Sequence, residues 1–526
     1  MEKAKFYDWQ IRAFNHIKDQ NAVLSAPTGS GKTLVAYLWA GIIKRNGEIN
    51  HEIDADRVIF TAPIKALSNE RYLDLRRMGL DVGIETGDFK RNEGAKIICC
   101  TQEIYTIKYA HVPNQKLIID EFHYIFNDSD RARSYIDGIK ETSPDTQLLV
   151  MSATLGNIKA IGKYLSEICM REFVVHAAKK RVTELIYTPD KPVERFDVHD
   201  SLVFVFTQRG VIELAELLAS TRKRIDPRNI SRLEKLARIL EVKRVFSSLY
   251  KGIGIYHGSM LPKEKLLVEE AFRERLIDTV CGTSALSLGV NLPAQSVVFA
   301  QLVNFYNYQP ISKNEFLQMS GRAGRKGLFD PGYVTWLKDS PFESHFQKTE
   351  TTFKKLMDSK IEDAVITLRP SFGKLLRKQT LIEFEAEYIA EYSLPALNPD
   401  NVLESLERSM SRINQAAGKL ARGKNKGRFK KIMAEIWYDE MDIDENLEMA
   451  RLFLDDATPN ALMAAKLLVP YERNYLQALL KVKRFANRLP SNRRFRLMGE
   501  LNKTVETIDP TIYGFEEKIG EIEARS

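Results

Sequence analysis

Cysteine and long hydrophobic runs are both scarce in this sequence. Four of its 526 residues are cysteines, and Cys99 and Cys100 are neighbours inside the apolar run KIICCT. Adjacent residues of a strand point to opposite faces, which excludes this pair as a CxxC-type zinc site. We interpret the cysteines as buried thiols in a reducing cytoplasm.

No hydrophobic run approaches the roughly 18 residues that a membrane-spanning helix needs, so we expect no membrane partner. The first residues, MEKAKFYDWQ, lack the apolar segment of a secretory signal, which favours a cytoplasmic location.

The sequence does have length and positive charge. A chain of 526 residues exceeds a single core and predicts several domains. A net charge of +8 favours a polyanionic partner.

Short apolar runs recur in two series. The first contains NAVLSAP, RVIFTAP, KIICCT, KLIIDE and LLVMSAT, and the second contains SLVFVFT, GIGIYHG, IDTVCGT, SVVFA and GYVTWL. Continuous hydrophobicity is typical of parallel strands that helices cover on both faces. We therefore predict an α/β fold with two tandem parallel-sheet domains, 1–180 and 181–345, joined by a charged connection around 177–200. A mostly α-helical C-terminal region follows, divided into 346–400 and 401–526.

The first polar motif follows a strand and predicts a phosphate-binding loop. In AVLSAPTGSGKT, the glycines let successive backbone N–H groups point at phosphate oxygens, and the next helix adds its positive N-terminus. Lys32 would reach the β- and γ-phosphates, and Thr33 would place its hydroxyl on Mg²⁺. The predicted ATP-binding loop comprises Ala26, Thr28, Gly29, Ser30, Gly31, Lys32 and Thr33.

Two adjacent acids end the strand in KLIIDEFH. Asp120 would hold the Mg²⁺ shell, partly through water, and Glu121 would orient and polarise the attacking water, as carboxylates do in phosphoryl transfer. The same chemistry needs positive charge on the γ-phosphate. In QMSGRAGRKG, Arg322 and Arg325 are three residues apart, which predicts one side of a helical turn. Because they belong to the second domain, hydrolysis would change the contact between domains, as in a motor.

The ordered motifs resemble those of superfamily 2 helicases. They are APTGSGKT, APIKALSNERY, ETGD, TQEIY, DEFH, SAT, FTQRG, YHGS, GTSALSLGVNLPA and QMSGRAGRKG. DEFHYI, IKALSN and ISKNEFLQMSGRAGRKG are most similar to the superkiller-type branch, which includes the RNA helicases of the exosome and archaeal DNA-repair helicases. The resemblance covers about residues 6–340 and implies two RecA-like domains. A weaker similarity in PSFGKLLRKQTLIEFEAEYI implies that a winged helix and a helical bundle follow.

The resemblance implies further nucleotide contacts. Gln10 corresponds to the glutamine that reads adenine, and either Phe6 or Tyr7 would stack on the base. Gly289 would lie near the ribose, and Gln318 near the γ-phosphate and the attacking water. A second group would couple hydrolysis to strand binding: Ser152 and Thr154 of the SAT element, and His123, which would bridge the two domains.

On the strand side, the resemblance implies contacts with backbone phosphates at Pro63, Lys65, Gly87, Thr101, Thr207, Arg209, His257, Thr283 and Ser284. Such small, hydroxyl or basic groups grip a strand without reading its sequence. For any one of them, a role in a turn or a helix cap is an equal alternative. Residues 303–314 correspond to a strand-separating hairpin, in which Phe305 and Tyr306, with Tyr308, would either stack on a terminal base pair or pack on the domain.

Three other basic segments leave two interpretations open. The stretches 418–431 and 481–496, which interleave Phe429, Phe485 and Phe495, and the insert 222–244 would contact nucleic acid or form solvated or partner-facing surfaces. We expect an ATP- and Mg²⁺-dependent helicase that moves 3′ to 5′, with RNA favoured over DNA. One alternative is an ATP-gated clamp or scaffold that serves a nuclease or other protein through the C-terminal helical region. The other is a DNA-repair helicase.

Overall fold

The structure is a computed structural model. It describes residues 3–505 apart from gaps at 64, 87–89, 127, 180, 243–244, 288–291, 293, 305–307, 326, 346, 421–425, 440, 454–457, 470–474, 487–497 and 500. The chain divides into two compact units. The first comprises Met1–Tyr124 and Asp137–Ala364, and the second comprises Ile125–Ile136 and Val365–Ser526.

The first unit contains two sheets, and the first sheet follows the predicted pattern. Its strands are β1 (Asn21–Ser25), β2 (Arg57–Ala62), β3 (Val82–Glu85), β4 (Lys90–Arg91), β5 (Ile97–Thr101), β6 (Gln115–Ile119), β7 (Gln147–Ser152) and β8 (Phe173–Ala177). They are ordered β4-β3-β5-β2-β6-β7-β1-β8, and every pair except β3–β4 is parallel. The five predicted strands occupy the middle of the sheet, where both faces are covered.

The second sheet is parallel throughout. Its strands are β9 (Leu185–Tyr187), β10 (Ser201–Phe204), β11 (Ile253–Tyr256), β12 (Thr279–Gly282), β13 (Ser296–Phe299) and β14 (Gly332–Trp336), in the order β11-β12-β10-β13-β14-β9. All five predicted strands are confirmed. The stretch 177–200 is more than the connection we expected, because β9 lies within it and pairs with β14.

Helices cover both sheets. They are α1 (Asp8–Ile17), α2 (Lys32–Ala40), α3 (Lys65–Arg77), α4 (Gln102–Lys108), α5 (Ser129–Lys140), α6 (Ile158–Cys169), α7 (Gln208–Ser220), α8 (Pro227–Ile239), α9 (Pro262–Arg273), α10 (Lys313–Ser320) and α11 (Thr349–Asp358). The α8 helix forms most of the basic insert. Among the described residues, none of the helices is long and apolar enough to cross a membrane.

The second unit is mostly helical, as predicted. It contains the first part of α5 together with α12 (Phe372–Leu376), α13 (Ile382–Glu391), α14 (Pro399–Leu420), α15 (Lys426–Ile436), α16 (Ile443–Leu452), α17 (Thr458–Leu468) and α18 (Tyr475–Ala486). Phe429 and Phe485 are buried in its core. They are therefore unable to stack on bases, although Arg428, Lys430 and Arg484 beside them are exposed, and Phe495 lies outside the described residues.

A buried ion pair stabilises this second unit. Arg133 on α5 forms two hydrogen bonds with the carboxylate of Glu385 on α13, of 2.7 and 3.2 Å. The same carboxylate accepts the backbone N–H of Ser371 at 2.8 Å. The guanidinium also lies 4.4 Å from the centre of the Tyr388 ring. Both carboxylate oxygens of Glu385 therefore accept hydrogen bonds, as a buried charge requires.

We expect Glu385→Gln to lower the free energy of unfolding of the second unit by about 3–5 kcal/mol, because it leaves the Arg133 charge buried without its counter-ion. Denaturant unfolding of the full chain, followed by circular dichroism, measures the effect. Glu404→Gln is the matched control, since Glu404 pairs with Arg408 on the exposed surface of α14. Equal unfolding midpoints for the two variants would contradict the prediction.

Candidate nucleotide and nucleic-acid site

The strand order places the predicted motifs along one edge of the first sheet. Parallel strands bring their carboxyl ends to the same edge, where ligands bind in folds of this class. Read across the sheet in the order β5, β2, β6, β7 and β1, the residues at that edge are Thr101, Pro63, Asp120, Ser152 and the loop that begins at Ala26. The proposed strand contacts therefore occupy one half of the edge, and the proposed nucleotide contacts occupy the other.

The phosphate-loop sequence adopts a tightly curled backbone. Gly29 and Gly31 have φ values of +76° and +86°, which a side chain would strain, and α2 begins directly after Gly31. Lys32 reaches across the loop and donates from Nζ to the carbonyl of Ala26 at 2.9 Å. Ser30 is buried, and its hydroxyl has no hydrogen-bond partner in the described part of the chain. This geometry suits a loop that receives a phosphate.

Gln10 fastens α1 to this loop. Its Nε2 donates to the carbonyl of Gly31 at 3.0 Å, and its Oε1 accepts the backbone N–H of Tyr7 at 2.8 Å. Of the two aromatic candidates for stacking on a base, Tyr7 is the exposed one, whereas Phe6 packs against the core of the domain. Gln10 is therefore hydrogen-bonded to the phosphate loop and lies next to the exposed ring of Tyr7.

The two carboxylates lie just beyond β6 in a strained turn. Glu121 has φ of +51°, a left-handed conformation that costs a bulky residue on the order of 1–3 kcal/mol and recurs at functional sites. Asp120 accepts the backbone N–H of Glu121 at 2.9 Å. The Oε2 atom of Glu121 is buried without a hydrogen-bond partner among the described residues, and it lies 3.4 Å from Nδ1 of His123. This oxygen is placed to accept a bond from a ligand or water.

Burial and neighbouring charges set different pKa values here. Burial, followed by the charge of Glu121, raises the pKa of Asp120. Burial also works to raise the pKa of Glu121, but the fields of His123, Lys32 and Arg322 outweigh it and hold the pKa below its usual value. Burial lowers the pKa of His123. Near neutral pH, Glu121 is therefore ionised and His123 is uncharged.

His123 connects the two sheet domains. Its Nε2 lies 3.1 Å from Nε2 of Gln318 on α10, and its Nδ1 lies 3.4 Å from the backbone nitrogen of Ala153, which follows β7. Ser152 is fully buried, and Thr154 is partly buried. Three predicted motifs, DEFH, SAT and the one that contains Gln318, thus meet at one imidazole.

The arginine pair differs from the prediction. The α10 helix ends at Ser320, and Gly324 has φ of +73°, so Arg322 and Arg325 do not share a helical turn. Arg322 is partly buried, donates to the carbonyl of Ser287, and lies near enough to Glu121 to lower the pKa of that carboxylate. Arg325 is exposed, and its backbone pairs with Phe329. Of the two arginines, Arg322 is the one whose charge acts on Glu121 in the described part of the chain.

Two arginines that the sequence did not single out also lie at this site. Arg71 on α3 donates to Asp120, and Arg181 lies against the phosphate loop. A Cβ atom added at Gly29 would clash with Nη2 of Arg181. The same nitrogen donates to the carbonyl of Gly321 at 3.0 Å, which ties the loop to the backbone beside Arg322. In the sequence, Arg181 is one of three consecutive basic residues in a charged connection, which carried no signal of this position.

The proposed strand contacts lie at the ends of β2, β5, β10, β11 and β12. Thr207 accepts the N–H of Gly210 at 3.0 Å and Thr283 accepts that of Ala285 at 3.3 Å, so both hydroxyls cap turns. Burial lowers the pKa of His257, and Arg209 pairs with Glu213 at 2.6 Å.

The remaining predicted strand contacts are at element starts or are not described. Lys65 begins α3, and Ser284 begins a 3₁₀ turn. Gly87, Gly289, Phe305 and Tyr306 lie outside the described residues.

The segment 303–314 has the base of a hairpin. Val303 and Pro310 form an antiparallel bridge, and the N–H of Asn304 donates to the carbonyl of Gln309 at 2.8 Å. Tyr308, at the turn end of this base, is 53% exposed. A half-exposed ring at that position leaves both predicted alternatives open, stacking on a terminal base pair and packing on the domain.

Comparison with known proteins agrees with this arrangement. Residues 7–161 match the DEAD/DEAH box helicase family, and residues 198–327 match the helicase conserved C-terminal domain. The chain is 24% identical over 478 residues to the DExH-box ATP-dependent RNA helicase DExH9 of Arabidopsis thaliana, which covers 75% of this chain and 47% of that protein. It is 28% identical over 343 residues to the ATP-dependent DNA helicase Hel308 of Pyrococcus horikoshii, covering 59% of this chain and 47% of the relative.

Among solved structures, the chain is similar to the helicase Lhr of Mycobacterium smegmatis bound to ssDNA and AMP-PNP, with 20% identity and a TM-score of 0.49, over 73% of this chain and 53% of that chain. The chain spans about half the length of the curated relatives it matches. The two family matches together cover more than half of its residues, in the order and at the positions of the motifs described above. The chain belongs to the superfamily 2 DEAD/DEAH box helicases, in their superkiller-type branch.

Proposed function

We propose that this protein is an ATP-dependent nucleic-acid helicase that hydrolyses ATP between its two sheet domains. The observation that carries the proposal is the meeting of groups from both domains around His123. Glu121 lies on one side of the imidazole at 3.4 Å, and Gln318 lies on the other at 3.1 Å. A site assembled from two domains couples hydrolysis to their relative movement, since each domain supplies part of the chemistry.

Each residue of the site has a separate role in the proposed hydrolysis of ATP. Lys32 and the loop N–H groups hold the β- and γ-phosphates, and Glu121 accepts a proton from the attacking water through its buried Oε2. Arg322 stabilises the charge that develops on the γ-phosphoryl oxygens, and Gln318 orients the water. Since Glu121 is ionised near neutral pH, it is in the state that a general base needs.

The proposal includes a magnesium ion, supported by the kind of oxygen donors at this site. The hydroxyl of Thr33 and the carboxylate of Asp120 lie 3.3 and 2.9 Å from the same nitrogen of Arg71, so the two oxygens are near enough to each other to share one cationic partner, which in this structure is the guanidinium. A hard cation that binds through one or two protein oxygens is the usual partner of a nucleotide phosphate. When bound, Mg²⁺ neutralises charge on the β- and γ-phosphates.

We propose that the substrate is a single-stranded or tailed nucleic acid, with RNA favoured over DNA and movement from 3′ to 5′. Similarity to relatives named as RNA helicases supports RNA, and similarity to a relative named as a DNA helicase supports the DNA-repair alternative. Stimulation of the ATPase by matched RNA and DNA single strands distinguishes them. Displacement from 3′-tailed but not 5′-tailed duplexes tests the direction.

The same assay tests the clamp alternative. Stimulation of ATP hydrolysis without strand displacement would indicate an ATP-gated clamp or scaffold for a nuclease or another protein. Support for a protein partner comes from the C-terminal unit, where Leu381 and Phe384 beside and within α13 are 61% and 60% exposed. An absence of stimulation by either nucleic acid would remove the proposed function.

A further inference from the structure

One arginine joins the two oxygen donors proposed for magnesium. Arg71 is on α3, and its Nη2 donates to Oδ2 of Asp120 at 2.9 Å and to Oγ1 of Thr33 at 3.3 Å. Its Nη1 donates to the hydroxyl of Tyr37 on α2 at 3.0 Å. A single planar group therefore connects the start of α2, the end of β6 and the middle of α3.

The guanidinium is held firmly in place. Its central carbon lies 5.6 Å from the centre of the Tyr37 ring and 5.8 Å from that of Phe60, within the range of cation–π attraction. Its side chain is 15% exposed. Burial works against the charge, but Tyr37 and Asp120 hold the pKa of Arg71 well above its usual value. Arg71 is therefore a fixed, permanent cation.

Thr33 is on α2, and Asp120 follows β6. A metal ion can bind both oxygens only when the distance between them matches its coordination geometry. In metal sites, the groups that bond to the ligands orient them and commonly set metal affinity. Arg71 contacts both ligands through one nitrogen, so it fixes the spacing directly. Lysine lacks the rigid fork that reaches Thr33, Asp120 and Tyr37 together.

We propose that Arg71 is a positioning residue that holds Thr33 and Asp120 in register for magnesium and thereby sets the magnesium dependence of nucleotide binding. The inference rests on the proposed function, because it assumes that a magnesium–nucleotide complex binds at this loop. It assigns no chemical step to Arg71, which acts through the two oxygens. The α3 helix begins at Lys65, just after the proposed strand contact Pro63, so the same helix carries Arg71 and borders the strand site.

The test measures binding rather than turnover. A fluorescent ATP analogue is titrated into the full chain by anisotropy, without magnesium and then across a magnesium series. We expect wild type to gain affinity with magnesium, and Arg71→Gln to lose about 10- to 100-fold of the magnesium affinity. Without magnesium, the affinity of Arg71→Gln for the analogue should stay within about twofold of the wild-type value. A general structural defect would instead weaken binding with and without magnesium.

Matched variants make the outcome decisive. Arg77→Gln removes a more exposed arginine of the same helix and should behave as wild type. Arg71→Lys should lie between wild type and Arg71→Gln. If Arg71→Gln fails to fold by thermal melting, Arg71→Lys and Tyr37→Phe decide, and both should weaken magnesium binding.

Two results would overturn the inference: an unchanged magnesium response in folded Arg71 variants, or a stronger one, which would mean that Arg71 competes with the metal. A wild-type protein that does not bind the analogue, with or without magnesium, would instead reject the proposed function.

Discussion

Glu121→Gln should reduce the turnover of ATP by about 10²- to 10⁴-fold and leave ATP binding intact, the range expected for loss of a general base. The amide has nearly the shape of the carboxylate, so the left-handed turn at residue 121 and the contact with His123 have no steric reason to change. The substitution removes the negative charge of the Glu121 carboxylate. In the wild type, that oxygen is buried, lacks a hydrogen-bond partner in the described part of the chain, and is ionised near neutral pH.

The measurement compares kcat at saturating ATP and nucleic acid with the affinity for ATP in a binding titration. Glu103→Gln is the control, since Glu103 is an exposed acid on α4 of the same domain. The control should retain both values. A Glu121→Gln protein with near-normal turnover would show that another group activates the water, and the proposed mechanism would fail.

Arg322→Ala should lower kcat by about 10³- to 10⁵-fold, the range seen when an arginine that neutralises a transferring phosphoryl group is removed. The side chain comes from the second sheet domain and lies close enough to Glu121 to depress its pKa. Because the effect falls on the transition state, the affinity for a non-hydrolysable analogue should change far less than kcat. Arg322→Lys should recover only part of the rate, since an ammonium lacks the planar fork.

The control for Arg322 is Arg232→Ala, which removes a cation of the same domain that pairs with Glu274 on the surface. Arg325→Ala belongs in the same experiment. Arg325 is exposed, so its proposed role on the γ-phosphate requires a change of side-chain position when nucleotide binds. If Arg322→Ala matches Arg232→Ala in turnover, the assignment of Arg322 is wrong.

The middle of each sheet was predictable because central parallel strands are buried on both faces and read as unbroken apolar runs. The strands that were missed, β3, β4, β8 and β9, lie at or next to a sheet edge, although the edge strand β11 was predicted. β9 is three residues, Leu185–Tyr187, and β4 is two, Lys90–Arg91, so neither forms a recognisable run. Residues 185–187 also lie in a charged segment, where partial burial at a sheet edge leaves little pattern.

The positions of the candidate site residues were predictable where they belong to a short motif after a strand, as at Lys32 or Glu121. It was not predictable where one long side chain reaches the site from a helix or a connection. Arg71 lies in the APIKALSNERY motif without a role of its own in the prediction, and Arg181 lies in the charged connection. Only packing brings them to Asp120 and the phosphate loop. The supposed helical turn of Arg322 failed for a local reason, because Gly324 takes a left-handed backbone that ends any helix.

The helix that follows the DEFH motif has a consequence for shortened forms of the protein. Residues 129–136 of α5 belong to the second unit and residues 137–140 to the first, and Arg133 depends on Glu385 for its counter-charge. A fragment that stops at residue 364 would retain every helicase motif quoted above but would lose Glu385, the carboxylate that pairs with the buried guanidinium of Arg133. Low stability or aggregation of such a fragment would be explained by the missing carboxylate and would say nothing about how the protein binds or hydrolyses a nucleotide.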